Sequence, residues 1–325
     1  MMIKFFKLIL ILLFYQVPLY SKSTTLNDFN SRHLSNYFSG IVAYENNDNT
    51  QALKFFRSSK YLIKKHESYL ESYVNALVLE GRVQQATSEI KKNFTKDNSN
   101  FFEAHLVLAL DSIKRKNYKK SKEHLQKTYE FINNDRLSLI IAETLKQYLY
   151  VFEVNKILKG KNKFGNFSFI NEVFQACYLN HKNTQAYFES LVRTKDSDYS
   201  RYIYFYLSYL TENKMYDEAK ELADSLNYLD SSLLISQGKS WIENEKLEEF
   251  KKIFSCRNSS DVIAEFLFLV ANLYSSQNDY EKSNFYLNIS HYLNPKFKFN
   301  LSLLAENHFL NKNYSKTLKI LESFD

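Results

Sequence analysis

The stretch LFLVANLYSSQNDYEKSNFYLNISHYLNP, residues 267–295, decides the fold of this chain. Its apolar residues return at intervals of three and four on both sides of a polar turn at 276–279, which predicts two helices joined as a hairpin. Ala271 and Ser283, both small, lie twelve positions apart, one on each helix. Small side chains there let the two backbones approach. Pro295 then ends the second helix, because proline cannot continue it.

The same twelve-residue spacing recurs along the chain in units of ~34 residues, the mark of tandem helical hairpins. The spaced pairs are Gly40/Ala52, Val74/Ala86, Ala109/Ser121, Ala142/Val154, Phe174/Ala186, Leu207/Ala219, Gly238/Phe250, Ala271/Ser283 and Ala305/Thr317. We therefore expect about nine units over residues 31–325. The unit near 131–164 is degenerate because its turn signal is poor, and the loop at 160–166 is either a hinge or a long connection.

This pattern resembles the tetratricopeptide repeat. The resemblance is carried most closely by the eighth and last units, through Leu267, Val270, Ala271, Tyr274, Tyr280, Ser283, Leu287, Ser290, Pro295, Leu301, Leu304, Ala305, Tyr314 and Thr317. It implies an all-α fold, a right-handed superhelical solenoid of tandem hairpins over residues 31–325. It also implies a concave groove, lined by the first helices, that binds a peptide or protein.

Composition is consistent with a nearly all-helical chain. Five glycines and two prolines among 325 residues are few for a fold built on tight turns or phosphate-binding loops. The formal charge of +7 does not indicate nucleic-acid binding, because basic and acidic residues alternate, as in residues 119–123. The partner is therefore expected to be a protein or peptide and not a nucleic acid.

The N-terminus has the pattern of a secretory signal peptide. Lys4 and Lys7 precede the apolar run 8–17, Pro18 breaks it, and small residues follow for cleavage after Ser21 or Ser23. The run is shorter than the ~20 apolar residues of a membrane-spanning helix. We expect a signal peptide at 1–23, a linker at 24–30 and a place in the periplasm or cell envelope of a bacterium. The alternative is an uncleaved anchor, which would be the chain's one membrane contact.

The two cysteines, Cys177 and Cys256, lie two repeat units apart. In an open stack, helices at roughly 8–10 Å spacing would separate them beyond the ~7 Å Cα limit for a disulfide. Two separate, buried thiols are therefore expected.

Candidate partner-binding residues follow from the repeat. The residue after each small first-helix position, and the residue four before it, should face the groove of the resembling family. The candidates chosen from these positions are Tyr37, Asn75, Asn171, Gln175, Tyr204, Ser208, Lys239, Phe268, Asn272 and Glu306. Amide side chains can hydrogen-bond a peptide backbone of any sequence, having both donor and acceptor. The alternative is an ordinary polar helix face.

No catalytic, cofactor or metal motif is evident. The triplet at 238–240 ends like a phosphate loop but lacks the earlier glycine, and zinc and nucleophile motifs are absent. We expect a non-enzymatic interaction scaffold in envelope assembly or secretion. The alternatives are the helical part of a larger envelope enzyme, such as a peptidoglycan-cleaving enzyme, and a membrane-anchored cytosolic adaptor. Because no polar capping helix follows the last unit, we expect either further C-terminal repeats or a partner that covers this end.

Overall fold

A computed structural model describes residues 30–93, 100–132, 135–158, 164–193, 201–226 and 232–324. The predicted signal peptide, nearly all of the predicted linker and the first part of the 160–166 loop lie outside these ranges. Within them the chain is all-α and has no strand. Nor does any helix there combine the length and apolar character of a membrane span.

Seventeen α-helices cover most of the described residues. They are α1 (Ser31–Glu45), α2 (Asn49–Ser58), α3 (Glu67–Leu79), α4 (Val83–Lys92), α5 (Phe102–Lys114), α6 (Tyr118–Thr128), α7 (Arg136–Val154), α8 (Asn166–Tyr178), α9 (Thr184–Val192), α10 (Arg201–Glu212), α11 (Tyr216–Asp224), α12 (Leu233–Glu243), α13 (Glu248–Ile253), α14 (Ser259–Ser276), α15 (Tyr280–Leu293), α16 (Asn300–Leu310) and α17 (Tyr314–Leu321).

Helices of the described chain form eight hairpins, α1/α2, α3/α4, α5/α6, α8/α9, α10/α11, α12/α13, α14/α15 and α16/α17, each at a predicted unit. The fourth unit differs from the expectation. Ala142 and Val154 lie on the single helix α7, not on two helices. The apolar sequence continues without a turn until Asn155, whose left-handed backbone (φ 55°) ends the helix where a second one was expected.

The hairpin turns share one backbone design. Each contains a residue with positive φ, and these are Asn47, Gly81, Lys116, Asn180, Lys214, Glu245, Asn278 and Lys312. The next backbone N–H donates to the carbonyl five residues back, as from Asp48 to Ala43 at 2.9 Å, which closes the helix in a Schellman motif. The Asp48 side chain then caps α2 by accepting from the Gln51 N–H. One short polar turn thus ends one helix and begins the next.

The twelve-residue pairs meet at the contact between the two helices of a hairpin. The Ser121 hydroxyl donates to the Ala109 carbonyl at 2.8 Å, and Thr317 donates to Ala305 at 3.3 Å. A Cβ added to Gly40 would lie 2.9 Å from the ring of Phe56. The need for a small residue at position 40 is therefore steric, because the Phe56 ring of α2 packs directly against it.

The chain curls back on itself, so it is not a stack in which each hairpin touches only its neighbours. Helix α14 packs against α5, α7 and α8, while α15 packs against α3, α4 and α5. The α14/α15 hairpin therefore covers first helices of the N-terminal half. In an open stack those helices would line the groove that the repeat resemblance implies.

Buried ion pairs and their hydrogen bonds stabilise the packing of α14 and α15 against earlier helices. The Asp111 carboxylate on α5, 1 % exposed, accepts hydrogen bonds from Lys91 at 2.7 Å, from Arg115 at 3.1 Å and from the Tyr292 hydroxyl on α15 at 2.8 Å. Between α10 and α14, Arg201 donates two hydrogen bonds of 2.8 Å to the Glu265 carboxylate. Each buried carboxylate is thus neutralised by a cation within hydrogen-bond reach, which burial requires.

A disulfide joins Cys177, at the end of α8, to Cys256, just before α14, with their Cα atoms 5.8 Å apart. The expectation of two separate thiols is wrong. It assumed an open stack, in which two repeat units would keep these residues far apart. Because the chain curls back and α8 contacts α14, residues 79 positions apart become neighbours.

Candidate functional site

An open cleft of about 690 Å³ lies where the curled chain brings its first and last hairpins together. The turn 46–50 forms one wall and the segment 311–316 forms the other. Leu79, Glu281, Asn284 and His308 also line it. Residues from opposite ends of the chain therefore share one concave surface.

The walls of the cleft are polar because hairpin turns need polar residues. Asparagine tolerates the left-handed conformation and caps helices, and the first and last turns contain Asn46, Asn47, Asn311 and Asn313. Asn49 is different, since it is 5 % exposed and its side-chain oxygen has no hydrogen-bond partner among the residues that the structure describes. A buried amide oxygen without a partner costs free energy, so it is a ready acceptor for a ligand N–H.

A smaller pocket of about 180 Å³ adjoins the cleft, because Leu79 and Glu281 line both cavities. We call it the inner pocket. Its remaining lining residues are Tyr44, Asn75, Phe102, Glu103, Asp135, Ser138, Tyr274, Lys282, Phe285 and Tyr286. The aromatic members Phe102, Tyr274, Phe285 and Tyr286 are buried, whereas Asp135, Glu281 and Lys282 are exposed. The pocket thus has an aromatic floor and a charged rim.

The floor is held by ring packing. Tyr274 and Tyr286 stack with their ring centroids 5.5 Å apart and an angle of 6° between the planes. Burial raises the pKa of both phenols, so both are neutral at physiological pH. Their rings present faces of negative quadrupole, which attract cations.

The carboxylates of the inner pocket are fixed by different helices. Asp135 caps α7, accepting from the Leu137 N–H at 3.0 Å and from the Ser138 hydroxyl at 2.6 Å. Glu281 accepts from the Tyr44 hydroxyl. Glu103 lies in the first turn of α5, and burial raises the pKa of its carboxyl, while its own backbone N–H and Lys282 act in the opposite direction.

Two further groups define the charge of the site. The ammonium of Lys282 lies 5.3 Å from the centroid of the Tyr274 ring and 3.8 Å from Asp279. In the cleft, burial and the nearby charge of Lys316 lower the pKa of His308 to about 4, against the effect of Glu80. His308 is therefore a neutral donor and acceptor at pH 7.

The structure places the ten predicted partner-binding residues in several environments. Of the ten, only Asn75 lines the inner pocket, and within the described part of the chain its buried side-chain oxygen has no hydrogen-bond partner. Asn272 and Glu306 are exposed and Phe268 is half-buried. The other six are buried, namely Tyr37, Asn171, Gln175, Tyr204, Ser208 and Lys239.

The buried members contact the chain's own residues. Asn171 donates to the Gln147 side chain at 2.5 Å, and Lys239 donates to the Leu226 carbonyl at 2.6 Å. Gln175 exchanges two hydrogen bonds with the Leu158 backbone, at 2.9 and 3.3 Å. The predicted residues therefore do not form one continuous surface.

Most of the cleft and inner pocket was not predicted as a site. In the sequence, an asparagine-rich stretch indicates only a turn, and nothing there shows that the turns 46–50 and 311–316 lie close together.

Comparison with known proteins gives no relative: no protein-family model matches the chain, and no curated protein matches it at a significant level. The resemblance to the tetratricopeptide repeat thus rests on the repeat pattern and the hairpins themselves.

Proposed function

We propose that this protein is a non-enzymatic scaffold of tetratricopeptide-like hairpins, stacked along a right-handed superhelical path, that binds an extended segment of a partner protein. The binding site is the cleft between the first and last hairpins, continued by the inner pocket. The observation that carries the proposal is the adjoining pair of cavities with the buried, unpartnered oxygen of Asn49 in its wall.

The chemistry of the cleft suits a polypeptide backbone. A bound extended segment must satisfy its own N–H and C=O groups, and amide side chains offer donors and acceptors for both. Asn46, Asn49, Asn284 and Asn311 line the cleft on both walls. Several such groups along one cleft can follow a backbone regardless of its side chains.

We further propose that the protein is exported and acts in the periplasm or cell envelope of a bacterium, in envelope assembly or secretion. The Cys177–Cys256 disulfide supports export, because disulfides persist in oxidising compartments and are rare in the cytosol. The N-terminal signal pattern supports it independently. A membrane-anchored cytosolic adaptor fits the disulfide less well.

Site-specific photo-crosslinking in the native envelope tests the proposed site. A photoreactive amino acid would replace Lys312, exposed in the cleft, and in a matched control Lys220, exposed on α11. We expect one partner protein to cross-link reproducibly from position 312 and not from position 220, with the cross-linked peptide identified by mass spectrometry. Equal yields from both positions, or none from position 312, would contradict the site.

A further inference from the structure

The inner pocket has the composition of a receptor for an organic cation. Glu103, Asp135 and Glu281 place three carboxylates around an aromatic floor that contains Tyr274 and Tyr286. Carboxylates form charge-assisted hydrogen bonds with ammonium and guanidinium groups, and an aromatic face adds cation–π attraction.

We infer that the inner pocket binds the basic side chain, lysine or arginine, of the segment that occupies the cleft. The inference rests on the proposed function. It adds that the bound segment is selected by its basic side chain. The pocket adjoins the cleft at Leu79 and Glu281, so a side chain can enter it while its backbone stays between the two turns.

The size of the inner pocket favours a single side chain. Small-molecule sites are commonly ~300–1,000 Å³, whereas this pocket measures about 180 Å³. A lysine or arginine side chain also suits the sequence of surfaces from the cleft inward. Its apolar stem can pass Leu79, which lines both cavities, while its charged head reaches the rings. Long basic side chains commonly bury their stems in this way.

Lys282 shows that the floor accepts a cation. Its ammonium lies 5.3 Å from the Tyr274 ring centroid, within the ~6 Å range of a cation–π contact. Its side chain is nevertheless 58 % exposed, and its acidic partner Asp279 is 3.8 Å away. Lys282 is therefore an exposed, weakly paired cation at the mouth of the inner pocket. An incoming basic side chain would compete with it for the Tyr274 ring.

The carboxylates contribute unequally. Asp135 is engaged in capping α7 and Glu281 accepts from Tyr44. Glu103 is the least exposed of the three, and desolvation raises the pKa of its carboxyl. A bound cation would offset that desolvation cost by attracting the ionised carboxylate. The charge of Glu103 should therefore matter most for binding.

The test measures the affinity of the full chain for acetylated, amidated pentapeptides Ala-Asn-X-Asn-Ala by calorimetry or ligand-observed NMR. X is lysine, arginine, the uncharged isostere norleucine, or glutamate, and butylammonium is the free-amine probe. We expect the lysine and arginine peptides to bind at least tenfold more tightly than the norleucine peptide. The glutamate peptide should bind most weakly.

Two variants should shift the affinity for the lysine peptide in opposite directions. Glu103→Gln should weaken it about tenfold, and Lys282→Gln should strengthen it severalfold by removing the competing cation. Glu123→Gln, at an exposed position of α6 outside both cavities, is the matched control and should bind like the parent. Thermal melting of each variant checks that the fold is retained.

The outcomes separate the two proposals. If lysine and norleucine peptides bind equally and Asn49→Ala weakens both, the cleft binds peptides but the cation inference is overturned. If butylammonium binds as well as the lysine peptide in a Glu103-dependent way, the pocket takes free amines, which also overturns the inference. If no peptide or amine binds, both the inference and the proposed cleft fail.

Discussion

The hydroxyl of Tyr292 donates a hydrogen bond of 2.8 Å to the buried carboxylate of Asp111, joining residues 181 positions apart. Asp111 also accepts from Lys91 and Arg115, so this one carboxylate links α4, α5 and α15. The contact exists only because the α14/α15 hairpin lies against the N-terminal units. It therefore reports directly on the closure of the chain.

Tyr292→Phe should lower the free energy of unfolding by about 1.5–3 kcal/mol, the range for a hydrogen bond to a charged group. The ring is kept, so its contact with Lys114, 3.7 Å from the ring centroid, remains. Tyr216→Phe, at a tyrosine 46 % exposed, is the matched control and should change stability by less than about 0.5 kcal/mol. Urea denaturation measures both, and equal effects would count against the closure contact.

Gly40→Ala should destabilise the protein, although alanine normally favours a helix. The new Cβ would lie 2.9 Å from two atoms of the Phe56 ring, which is 0 % exposed and cannot move away without disturbing the core. Overpacking of this kind costs about 1–3 kcal/mol. Ser35→Ala, exposed on the same helix, should be neutral or slightly stabilising. If Gly40→Ala has the same effect as Ser35→Ala, the close approach of α1 and α2 does not exist.

Because of Asp261, the free energy of unfolding should depend on pH between about 4 and about 7. Burial raises the pKa of its carboxyl to about 7, partly offset by the Ser255 backbone N–H and by Lys296, while Glu212 adds to the rise. A raised folded-state pKa means that the stabilising contribution is present at low pH and is lost as pH rises from about 4 to about 7. Asp261→Asn keeps an acceptor for Ser255 but cannot ionise.

The variant Asp261→Asn should therefore gain stability over the parent at pH 8 and lose most of that gain at pH 4.5. Denaturation curves for both proteins at the two pH values give the comparison. A difference that is independent of pH would show that Asp261 does not titrate with a raised pKa.

The disulfide should contribute substantially to stability. A cross-link between residues 79 apart lowers the entropy of the unfolded chain, which stabilises the folded state by about 4.5 kcal/mol at 25 °C in the chain-entropy treatment. Reduction with dithiothreitol should lower the unfolding midpoint of the parent. The double variant Cys177→Ser, Cys256→Ser serves as the control, because its midpoint should be low already and unaffected by the reductant. No shift in the parent on complete reduction would contradict this contribution.

The repeat and its hairpins could be predicted because their causes are local. The turn signals, the apolar periodicity and the small residues at twelve-residue spacing all act within one unit. The aromatic run Tyr202–Tyr206 has strand propensity, yet it lies in the first helix of the unit that contains Leu207 and Ala219, and it forms part of α10. The prediction failed at Ala142 and Val154, where twelve-residue spacing occurs by coincidence within one continuous helix.

The closure and the site could not be predicted, because they depend on the curvature that accumulates over many units. No local signal brings α15 against α3 or the turn at Asn47 near Lys312. The error over Cys177 and Cys256 has the same origin, since it followed from an assumed open stack. Asn75 was predicted as a site residue from its repeat position and does line the inner pocket.

The most direct test of the account is the state of the two cysteines in protein purified from its native compartment, with free thiols alkylated at lysis. Packing of the N-terminal half against the α14/α15 hairpin creates the cleft and holds the Cα atoms of Cys177 and Cys256 5.8 Å apart. Mass spectrometry of a non-reduced digest should therefore detect one peptide pair linked through these residues. Recovery of both cysteines in alkylated form would contradict both the closure and the proposed export.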